Sequence, residues 1–339
     1  MLFGESTSYP QAEQLLGMCM EAGVNFFDTA EMYPVPQRAE THGASEEYLG
    51  RWMRSGAVSR EDVLLASKVA GPSGQMSWIR GGPHKVDAAN IRQALDASLQ
   101  RLQTDYIDLY QIHWPDRYVP MFGDSEYDPC AAYDGAVPLE EQLEALGRAV
   151  EQGKNAYSLT CRTFDSGGLA EVCHLEGVAL LAYSPLAMGL LTVRLGAAVL
   201  AVVAAVMAVL LLVKEAGKYL APDGGPPGAR LNRYRGRYAE AESRYGPRPN
   251  VVSAVTAYAA LAADVGLSPT ALALRFVLSR PLVASAVVGA TSPQQLVELL
   301  QAAMPLSDGA GAGGAGEWLP EEVLRRIDEI HERYPNPTP

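Results

Sequence analysis

The sequence predicts an α/β protein built on a mostly parallel sheet, and it favours a (β/α)8 (TIM) barrel over a doubly wound sheet. Short apolar runs alternate with amphipathic helices through the first two-thirds of the 339 residues, which is the pattern of strand–helix repeats. Asp28, Lys68 and His113 each follow a different predicted strand, and in a barrel those strand ends meet at one mouth, where catalytic groups collect. A doubly wound sheet needs a GxGxxG turn after a strand, and the sequence has none.

The elements follow in chain order from apolar spacing and capping residues. Ser45 begins a helix whose first turn carries Glu46 and Glu47, where negative charge suits the helix dipole, and Asp87 is the predicted N-cap of another helix. Predicted strands cover residues 24–27, 63–66, 106–112, 178–183 and 282–288. Predicted helices cover residues 11–22, 139–150 and 321–332, and three more begin at Ser45, Asp87 and Pro293. A closed barrel of this class has eight strands, so five leave the predicted barrel incomplete.

The composition limits the class of partner. A formal charge of −12 argues against nucleic acid or an anionic membrane as the main partner, although a local basic patch can still receive an anionic cofactor. The four cysteines form no CxxC pair, which favours free thiols, a reducing compartment and a cytoplasmic location. The five histidines lack metal-binding spacing, so no metal site is predicted. Residues 1–18 lack the pattern of a secretory signal.

Four polar residues lie in motifs that occur together in one family. Asp28 and Tyr33 lie in GVNFFDTAEMYPVP, Lys68 in LLASKV and His113 in YIDLYQIHWPD. With SPLAMGLLT, PPGARL and VVGATSPQQLVE further along, these motifs resemble the aldo-keto reductases, most closely the subgroup of Tas-type reductases and potassium-channel beta subunits. The resemblance covers nearly the whole chain. It implies a (β/α)8 barrel with an Asp–Tyr–Lys–His tetrad.

These residue types suit the reduction of a carbonyl group by hydride. The alkoxide that forms needs a proton, and a free tyrosine, with a pKa of about 10, is a weak acid at neutral pH. Under the resemblance, the Lys68 ammonium stabilises the Tyr33 phenolate, Asp28 holds that ammonium, and His113 orients the substrate carbonyl. Each residue alone could be a cap, a loop aromatic, a solvated charge or a core histidine. Their joint occurrence in family order favours the catalytic interpretation.

The resemblance also implies an NADPH site. The loop over the nicotinamide and pyrophosphate would be Tyr183, Ser184, Pro185, Leu186, Ala187 and Met188. Phosphates, including the 2′-phosphate of NADP, would meet Lys218 and Arg230. The turn into the last barrel helix would contribute Gly289, Ala290, Thr291 and Gln295, and Glu298 would contact adenine. Leu299 departs from the family, because relatives commonly have an asparagine there. The turn by itself is a common strand–turn–helix and does not indicate a cofactor.

The chain departs from the family at three places. It opens at MLFGE, near the end of a strand that relatives carry complete, so the first strand is expected to be missing. The junction between Lys154 and Asn155 is expected to skip the fifth βα unit and most of the sixth strand. The residues that hold the nicotinamide carboxamide in relatives, a Ser-Asn pair and a Gln, lie in that skipped segment. Residues 193–216 are expected to be an insertion foreign to the family within one domain that spans residues 1–339.

The insertion contains an apolar run long enough to span a membrane. Every residue of 195–213 is apolar or glycine, and about 20 such residues cross a bilayer. A bilayer between two parts of one barrel is excluded, because open sheet edges do not occur in hydrocarbon. A buried amphipathic helix is disfavoured, because the run is apolar all round. Translated non-coding sequence, paired with a skipped exon at Lys154, explains both departures and is favoured.

The leading functional hypothesis is a soluble oxidoreductase that reduces aldehydes or ketones with NADPH. The alternatives are a cofactor-sensing regulatory subunit like the channel beta subunits, a membrane-anchored protein, and an inactive product of a faulty gene model. His113 favours the enzyme, because those channel relatives often replace the tetrad histidine. The expected partner is a small carbonyl compound, with Trp78, Trp114 and residues 118–133 lining its pocket.

Overall fold

The structure of the chain is a computed structural model. It describes residues 1–82, 85–118, 127–131, 135–146, 152–192, 218–219, 224–237, 239–305 and 318–338. Those residues contain six strands in two three-stranded parallel sheets, and they form two compact units. The first unit is drawn from Met1–Pro120, Glu126–Glu151 and Gly289–Leu296, and the second from Met121–Ser125, Gln152–Val288 and Val297–Pro339. The predicted insertion at 193–216 lies outside the described residues.

The first unit contains a parallel sheet in the order β1-β2-β3. Its strands are β1 (Phe26–Asp28), β2 (Leu64–Val69) and β3 (Leu109–Ile112). Its helices are α1 (Tyr9–Glu21), α2 (Ala44–Arg54), α3 (Ala88–Leu102) and α4 (Leu139–Leu146), with 3₁₀ turns at Arg60–Asp62, Ile79–Gly81 and Pro129–Ala131. All three strands and all four helices fall where the sequence predicts an element. Residues 147–150 of the predicted fourth helix lie outside the described residues.

Capping residues set the starts of the helices in this unit. The side-chain oxygen Oε1 of Gln11 accepts the N–H of Ser8 at 3.0 Å, which fixes the start of α1. Asp87 Oδ1 accepts the N–H of Asn90 at 2.9 Å and so caps α3, as the sequence predicts. Glu46 and Glu47 lie in the first turn of α2, also as predicted.

Successive side chains of β2 point alternately to the hydrophobic core and to the other face of the sheet. Leu65 packs in a buried cluster with Phe27, Trp52 and Leu102, so α2 and α3 cover this face. The rings of Phe27 and Trp52 meet edge to face with centroids 5.5 Å apart. Because successive strand residues point to opposite faces, Lys68 points away from this cluster.

The second unit contains a parallel sheet in the order β4-β5-β6. Its strands are β4 (Gln152–Ala156), β5 (Ala179–Tyr183) and β6 (Val283–Val287). Its helices are α5 (Thr163–Ser166), α6 (Leu169–Leu175), α7 (Arg230–Arg233), α8 (Ala239–Tyr245), α9 (Pro249–Asp264), α10 (Pro269–Leu278) and α12 (Glu321–Arg333), with a 3₁₀ turn at Ala187–Gly189. Helix α11 (Pro293–Ala302) begins in the first unit's residues and ends in the second's. The core contains the stacked rings of Tyr157 and Phe276, 6.1 Å apart.

The strand β4 corrects the sequence prediction at the junction. No strand was predicted at Lys154 and Asn155, yet both lie within β4, where they pair in parallel with Leu181 and Ala182 of β5. The described residues therefore contain six strands, one more than the five predicted. Pairing with β5 explains the additional strand, because β-propensity depends strongly on context.

Two long apolar helices in the second unit also lack a counterpart in the prediction. These are α9 and α10, which pack against each other, while α9 also contacts α12. Within the described residues, no single helix is both long and apolar enough to cross a bilayer. Only α9 and α10 taken together reach that length and composition, and a bend of 93° separates them.

Candidate active site

Lys68 and Asp28 form a buried ion pair at the ends of neighbouring strands. The Lys68 ammonium nitrogen Nζ lies 2.8 Å from Oδ2 of Asp28 and also donates to the backbone carbonyl of Thr29. The two side chains are 4% and 14% exposed. Because hydrogen bonds between charged groups are strong in a desolvated setting, this pair fixes the position of the ammonium.

Tyr33 and His113 complete the cluster that the sequence predicts. The Tyr33 hydroxyl oxygen lies 3.4 Å from Nε2 of His113, and the two rings meet edge to face with centroids 5.4 Å apart. Lys68 Nζ lies 4.9 Å from the centroid of the Tyr33 ring. The structure therefore brings together all four residues of the predicted tetrad within the first unit.

Backbone pairing beyond the strands sets this arrangement. The N–H of Thr29 donates to the carbonyl of Ala66 at 2.8 Å, and the N–H of Glu31 donates to the carbonyl of Lys68 at 3.2 Å. The segment after β1 thus stays paired with β2, and Tyr33 follows two residues later. On the other side of β2, the N–H of His113 donates to the carbonyl of Val69 at 2.9 Å. These backbone hydrogen bonds therefore hold the ends of β1, β2 and β3 side by side at the same edge of the sheet.

Gln111 belongs to this cluster and was not predicted. Its side chain is 7% exposed, it pairs with Lys68 in the sheet register, and its Nε2 lies 3.5 Å from Oδ1 of Asp28. That distance makes a weak hydrogen bond at most. The sequence could have indicated Gln111, because it lies two residues before His113, and residues two apart in an extended segment point to the same face.

Trp114 packs beside the cluster through a close backbone approach. Its indole Nε1 donates to the carbonyl of Pro72 at 2.9 Å, and its ring centroid lies 5.0 Å from that of His113. A Cβ atom on Gly71 would lie 2.4 Å from the Trp114 carbonyl oxygen, so only glycine fits there. Trp78 is partly buried, and residues 119–126 and 132–134 of the predicted pocket lie outside the described residues.

The predicted cofactor loop in the second unit has an unusual backbone. Ser184, Ala187 and Met188 have φ values of 55°, 47° and 58°, in the left-handed region that L side chains rarely adopt. Such conformations persist only where the surroundings impose them, and they cluster at ligand sites. Tyr183 is the last residue of β5, and Pro185 and Leu186 lie in the loop that follows it.

Two cations lie next to this loop. Arg230 Nη1 lies 3.0 Å from the sulfur of Met188, a weak acceptor, and Arg230 Nε is buried with no hydrogen-bond partner among the described residues. Burial lowers the pKa of Lys218, the charge of Glu298 raises it, and the charge of Arg230 lowers it again. A donor without a partner beside a second, desolvated cation fits a group that carries negative charge, such as a phosphate.

The remaining predicted cofactor residues lie around the start of α11. Thr291 donates from its N–H and its hydroxyl to Oε1 of Gln295, at 3.0 and 2.9 Å. Gly289 and Ala290 precede this turn in the first unit. Glu298, in the second unit, accepts a hydrogen bond from the Thr270 hydroxyl at 2.6 Å. Leu299, at the position of the family asparagine, is 6% exposed.

Comparison with known proteins identifies the class. The model of the aldo/keto reductase family matches residues 1–157 and 154–310, so the chain belongs to that family, as the sequence motifs predicted. The family consists of oxidoreductases with (β/α)8 barrels, and the parallel strands of the structure agree with that class. The two matched stretches meet at residues 154–157, which contain the predicted junction.

Individual relatives place the chain in the predicted subgroup. It is 36% identical over 372 aligned positions to Protein tas of Escherichia coli, which covers 100% of the chain and 94% of that protein. It is 32% identical over 324 positions to an aldo-keto reductase of Babesia bovis, covering 81% of the chain and 98% of that protein. A probable voltage-gated potassium channel subunit beta of rice is 27% identical over 360 positions, covering 99% and 92%.

Proposed function

We propose that the chain is an NADPH-dependent reductase of aldehydes or ketones in which Tyr33 donates the proton. The observation that supports this most directly is the surroundings of Tyr33. Its hydroxyl lies 3.4 Å from His113 Nε2, and its ring lies 4.9 Å from the Lys68 ammonium. A hydroxyl on a ring that lies close to a fixed cation is suited to the protonation of an alkoxide.

In this mechanism each residue of the tetrad has one task. NADPH, when bound, supplies the hydride that reduces the carbonyl carbon. Tyr33 transfers its hydroxyl proton to the developing alkoxide oxygen, which leaves an alcohol and a phenolate. Lys68 stabilises that phenolate, Asp28 holds Lys68 in place, and a proton from solvent restores the hydroxyl. His113 donates a hydrogen bond to the carbonyl oxygen and aims it at Tyr33.

The proposed cofactor contacts are those that the family resemblance implies. Lys218 and Arg230 would receive the 2′-phosphate, and the amides after Gly289 at the start of α11 would receive a second anionic group. The other contacts proposed are Tyr183, Ser184, Pro185, Leu186, Ala187, Met188, Ala290, Thr291, Gln295 and Glu298. The residues that hold the carboxamide in relatives are expected to be missing, so hydride transfer should be slow.

All four cysteines are free, which supports a reducing, cytoplasmic location.

A second candidate is a regulatory subunit that binds NADPH and changes its interaction with a partner. Similarity along 99% of the chain to a probable potassium channel subunit beta favours this alternative. The two proposals differ in one measurable respect, because only the reductase consumes NADPH when a carbonyl compound is added.

A single-turnover experiment tests the proposal and separates the two candidates. The full chain is mixed with NADPH and a simple aromatic aldehyde, NADPH absorbance is followed, and alcohol is quantified. The reductase forms one alcohol per NADPH consumed, and Tyr33→Phe slows this step by about 10²–10⁴-fold without changing NADPH affinity. NADPH binding without turnover supports the regulatory subunit instead. Equal rates for Tyr33→Phe and the unsubstituted chain refute the role of Tyr33.

A further inference from the structure

One peptide group links the two sides of the tetrad. The carbonyl of Val69 accepts the N–H of His113 at 2.9 Å. The N–H on the other edge of the same peptide group, that of Ala70, donates to Oε1 of Glu31 at 2.5 Å. Because a trans peptide is planar and its N–H and C=O point in opposite directions, a shift at Glu31 is carried to the backbone of His113.

Glu31 also occupies the turn that carries Tyr33. Its own N–H donates to the carbonyl of Lys68 at 3.2 Å, and the N–H of Tyr33 donates to the carbonyl of Ala30 at 3.1 Å. With its bond to Ala70, the Glu31 side chain continues the pairing of this turn with the end of β2. Glu31 thus fixes the Tyr33 turn and, through the peptide after Val69, the backbone of His113.

A buried arginine keeps the Glu31 carboxylate in this position. Arg80 forms an ion pair with Oε1 of Glu31, and the two side chains are 5% and 2% exposed. Burial raises the pKa of the Glu31 carboxyl, and the charge and hydrogen bond of Arg80 oppose that rise. Arg80 therefore offsets part of the cost of burying the charged form of this carboxylate.

Two hydrogen bonds of its side chain hold Arg80 in turn, and its backbone conformation is unusual. Its Nη2 donates to the carbonyl of Ala70 at 2.9 Å, and its Nε donates to Oδ1 of Asn90 at 3.1 Å. Its backbone has φ 48° and ψ 26°, a left-handed conformation that a non-glycine residue adopts only when its surroundings impose it. Asn90 is in turn bonded to Asp87, the cap of α3. The start of α3 is thus connected through Arg80 to Glu31.

We infer that Glu31, held by Arg80, is a positioning residue that sets the distance between the Tyr33 hydroxyl and the His113 imidazole. This inference deepens the proposed function and rests on it for its catalytic meaning. Neither Glu31 nor Arg80 touches the reacting atoms in this role. Their effect on the reaction passes through the peptide group between Val69 and Ala70.

The test compares two double variants that share one substitution. The first, Glu31→Gln with Arg80→Met (the Gln–Met variant), removes both charges but keeps a carbonyl oxygen that can accept the Ala70 N–H. The second, Glu31→Leu with Arg80→Met (the Leu–Met variant), removes both charges and also that acceptor. Replacing a buried ion pair with apolar residues of similar volume is often tolerated. Because Arg80→Met occurs in both variants, strain at its positive φ cancels in the comparison.

The readout is the NMR resonance of the His113 ring C2 proton in the full chain, identified by its loss in His113→Gln. Tyr33→Phe gives the reference displacement for a lost contact with Tyr33. We expect the Leu–Met variant to displace the His113 resonance and its titration midpoint as far as Tyr33→Phe does. The Gln–Met variant should leave both near their original values. Since this readout needs no turnover, it holds even if the proposed reductase activity fails.

A second buried ion pair in the same unit is the matched control. Glu46 is 0% exposed and lies 2.6 Å from Arg101, and it accepts from Ser67 rather than from the peptide after Val69. Glu46→Leu with Arg101→Met should change unfolding without displacing the His113 resonance. Equal displacement by this control and by the Leu–Met variant overturns the inference, because it shows a general effect of a lost ion pair.

Two further measurements keep the test decisive should the Leu–Met variant not fold. The Ala70 amide of the unsubstituted chain should be protected from hydrogen exchange, and Glu31→Asp, one methylene shorter with its charge kept, should remove that protection. Rapid exchange of Ala70 in the unsubstituted chain overturns the inference. In chains that do turn over, Glu31→Asp should lower kcat by up to about a hundredfold for a displacement near 1 Å, with the Kd of NADPH unchanged. Unchanged kcat overturns it too.

Discussion

The ammonium of Lys68 lies 2.8 Å from the carboxylate of Asp28 and 4.9 Å from the ring of Tyr33. This places one buried cation beside a fixed anion and near the ring whose hydroxyl is proposed to act as the acid. The position of Lys68 depends on Asp28 and on the carbonyl of Thr29. The pair therefore has a structural role and a proposed chemical role, and variants separate the two.

The first prediction uses that separation. Lys68→Met leaves the Asp28 carboxylate buried without its cation, so we expect it to lower the free energy of unfolding by about 3–5 kcal/mol. Asp28→Asn combined with Lys68→Met should recover most of that stability but none of the carbonyl reduction. Urea unfolding and single-turnover alcohol formation measure the two effects.

A nearby ion pair controls for loss of charge alone. Arg60 lies 2.7 Å from Asp108, with side chains 17% and 26% exposed. Arg60→Met should therefore cost less stability and leave alcohol formation unchanged. Recovery of activity together with stability in the Asp28–Lys68 double variant would show that the pair is only structural.

The second prediction concerns the choice between NADPH and NADH. A charged contact to the 2′-phosphate is worth roughly 1.5–3 kcal/mol, so NADPH should bind more than tenfold tighter than NADH. Arg230→Met should weaken NADPH binding by at least tenfold and leave NADH binding unchanged. Fluorescence titration of both cofactors measures these affinities. Arg233→Met, an exposed neighbour in the same short helix α7, should have no such effect.

The same site predicts a pH dependence of cofactor binding. Burial lowers the pKa of Lys218, with Glu298 opposing and Arg230 adding to the shift. A bound phosphate favours the protonated lysine, so it raises that pKa again. NADPH affinity should therefore fall as the pH rises through the lowered pKa of the free chain. The assignment of Lys218 and Arg230 to the cofactor site is wrong if NADPH affinity stays constant across the alkaline range and Arg230→Met does not change it either.

Part of the candidate site followed from the sequence, and part needed the structure. Asp28, Lys68 and His113 could be located because each ends an apolar strand. Glu31 gave no such signal, because a carboxylate in a loop is usually solvated and its partner Arg80 lies 49 positions away. Burial of that pair depends on packing of the loop before α3, which no local pattern encodes.

The strand at the junction shows the same limit for the fold. The segment Gln152–Ala156 reads QGKNA, in which no residue is β-branched or aromatic, so local propensity argues against a strand. Its five residues nevertheless pair with Ala179–Tyr183 in register. The neighbouring strand β5 supplies the hydrogen-bonding edge, and that edge is a long-range feature.

The third prediction concerns stability in acid. Burial is the largest cause that lowers the pKa of His42 to about 4, and the nearby charges of Arg101 and Arg80 contribute to that lowering. The unfolded chain, in which a histidine has a pKa of about 6.5, then binds more protons than the folded chain. Stability is therefore full above that value and falls as the pH drops toward 4. His42→Gln should reduce the loss of Tm between pH 7 and pH 5, whereas His174→Gln, at an exposed site, should not.

The last prediction concerns residues 193–216. Their central run, 195–213, is apolar throughout apart from glycine, and the family resemblance predicts that it is an insertion. An apolar run of this length promotes aggregation if it is exposed to water. A chain that lacks residues 193–216 should therefore give a higher soluble yield than the full chain. Soluble and pelleted protein after identical expression and centrifugation gives the measurement.

Fractionation of the full chain decides what that segment is. If the segment is translated non-coding sequence, most of the full chain is found in aggregates, with only a minor soluble fraction, and none is recovered with membranes after flotation. Transcripts should then exist that lack the codons for 193–216. Restoring a family-like segment after Lys154 should then increase alcohol formation, because the residues that hold the nicotinamide carboxamide return. Recovery of the full chain in floated membranes, resistant to alkaline extraction, would instead identify residues 195–213 as an anchor. A monodisperse full chain with activity equal to that of the shortened chain would show that residues 193–216 are a genuine part of the enzyme.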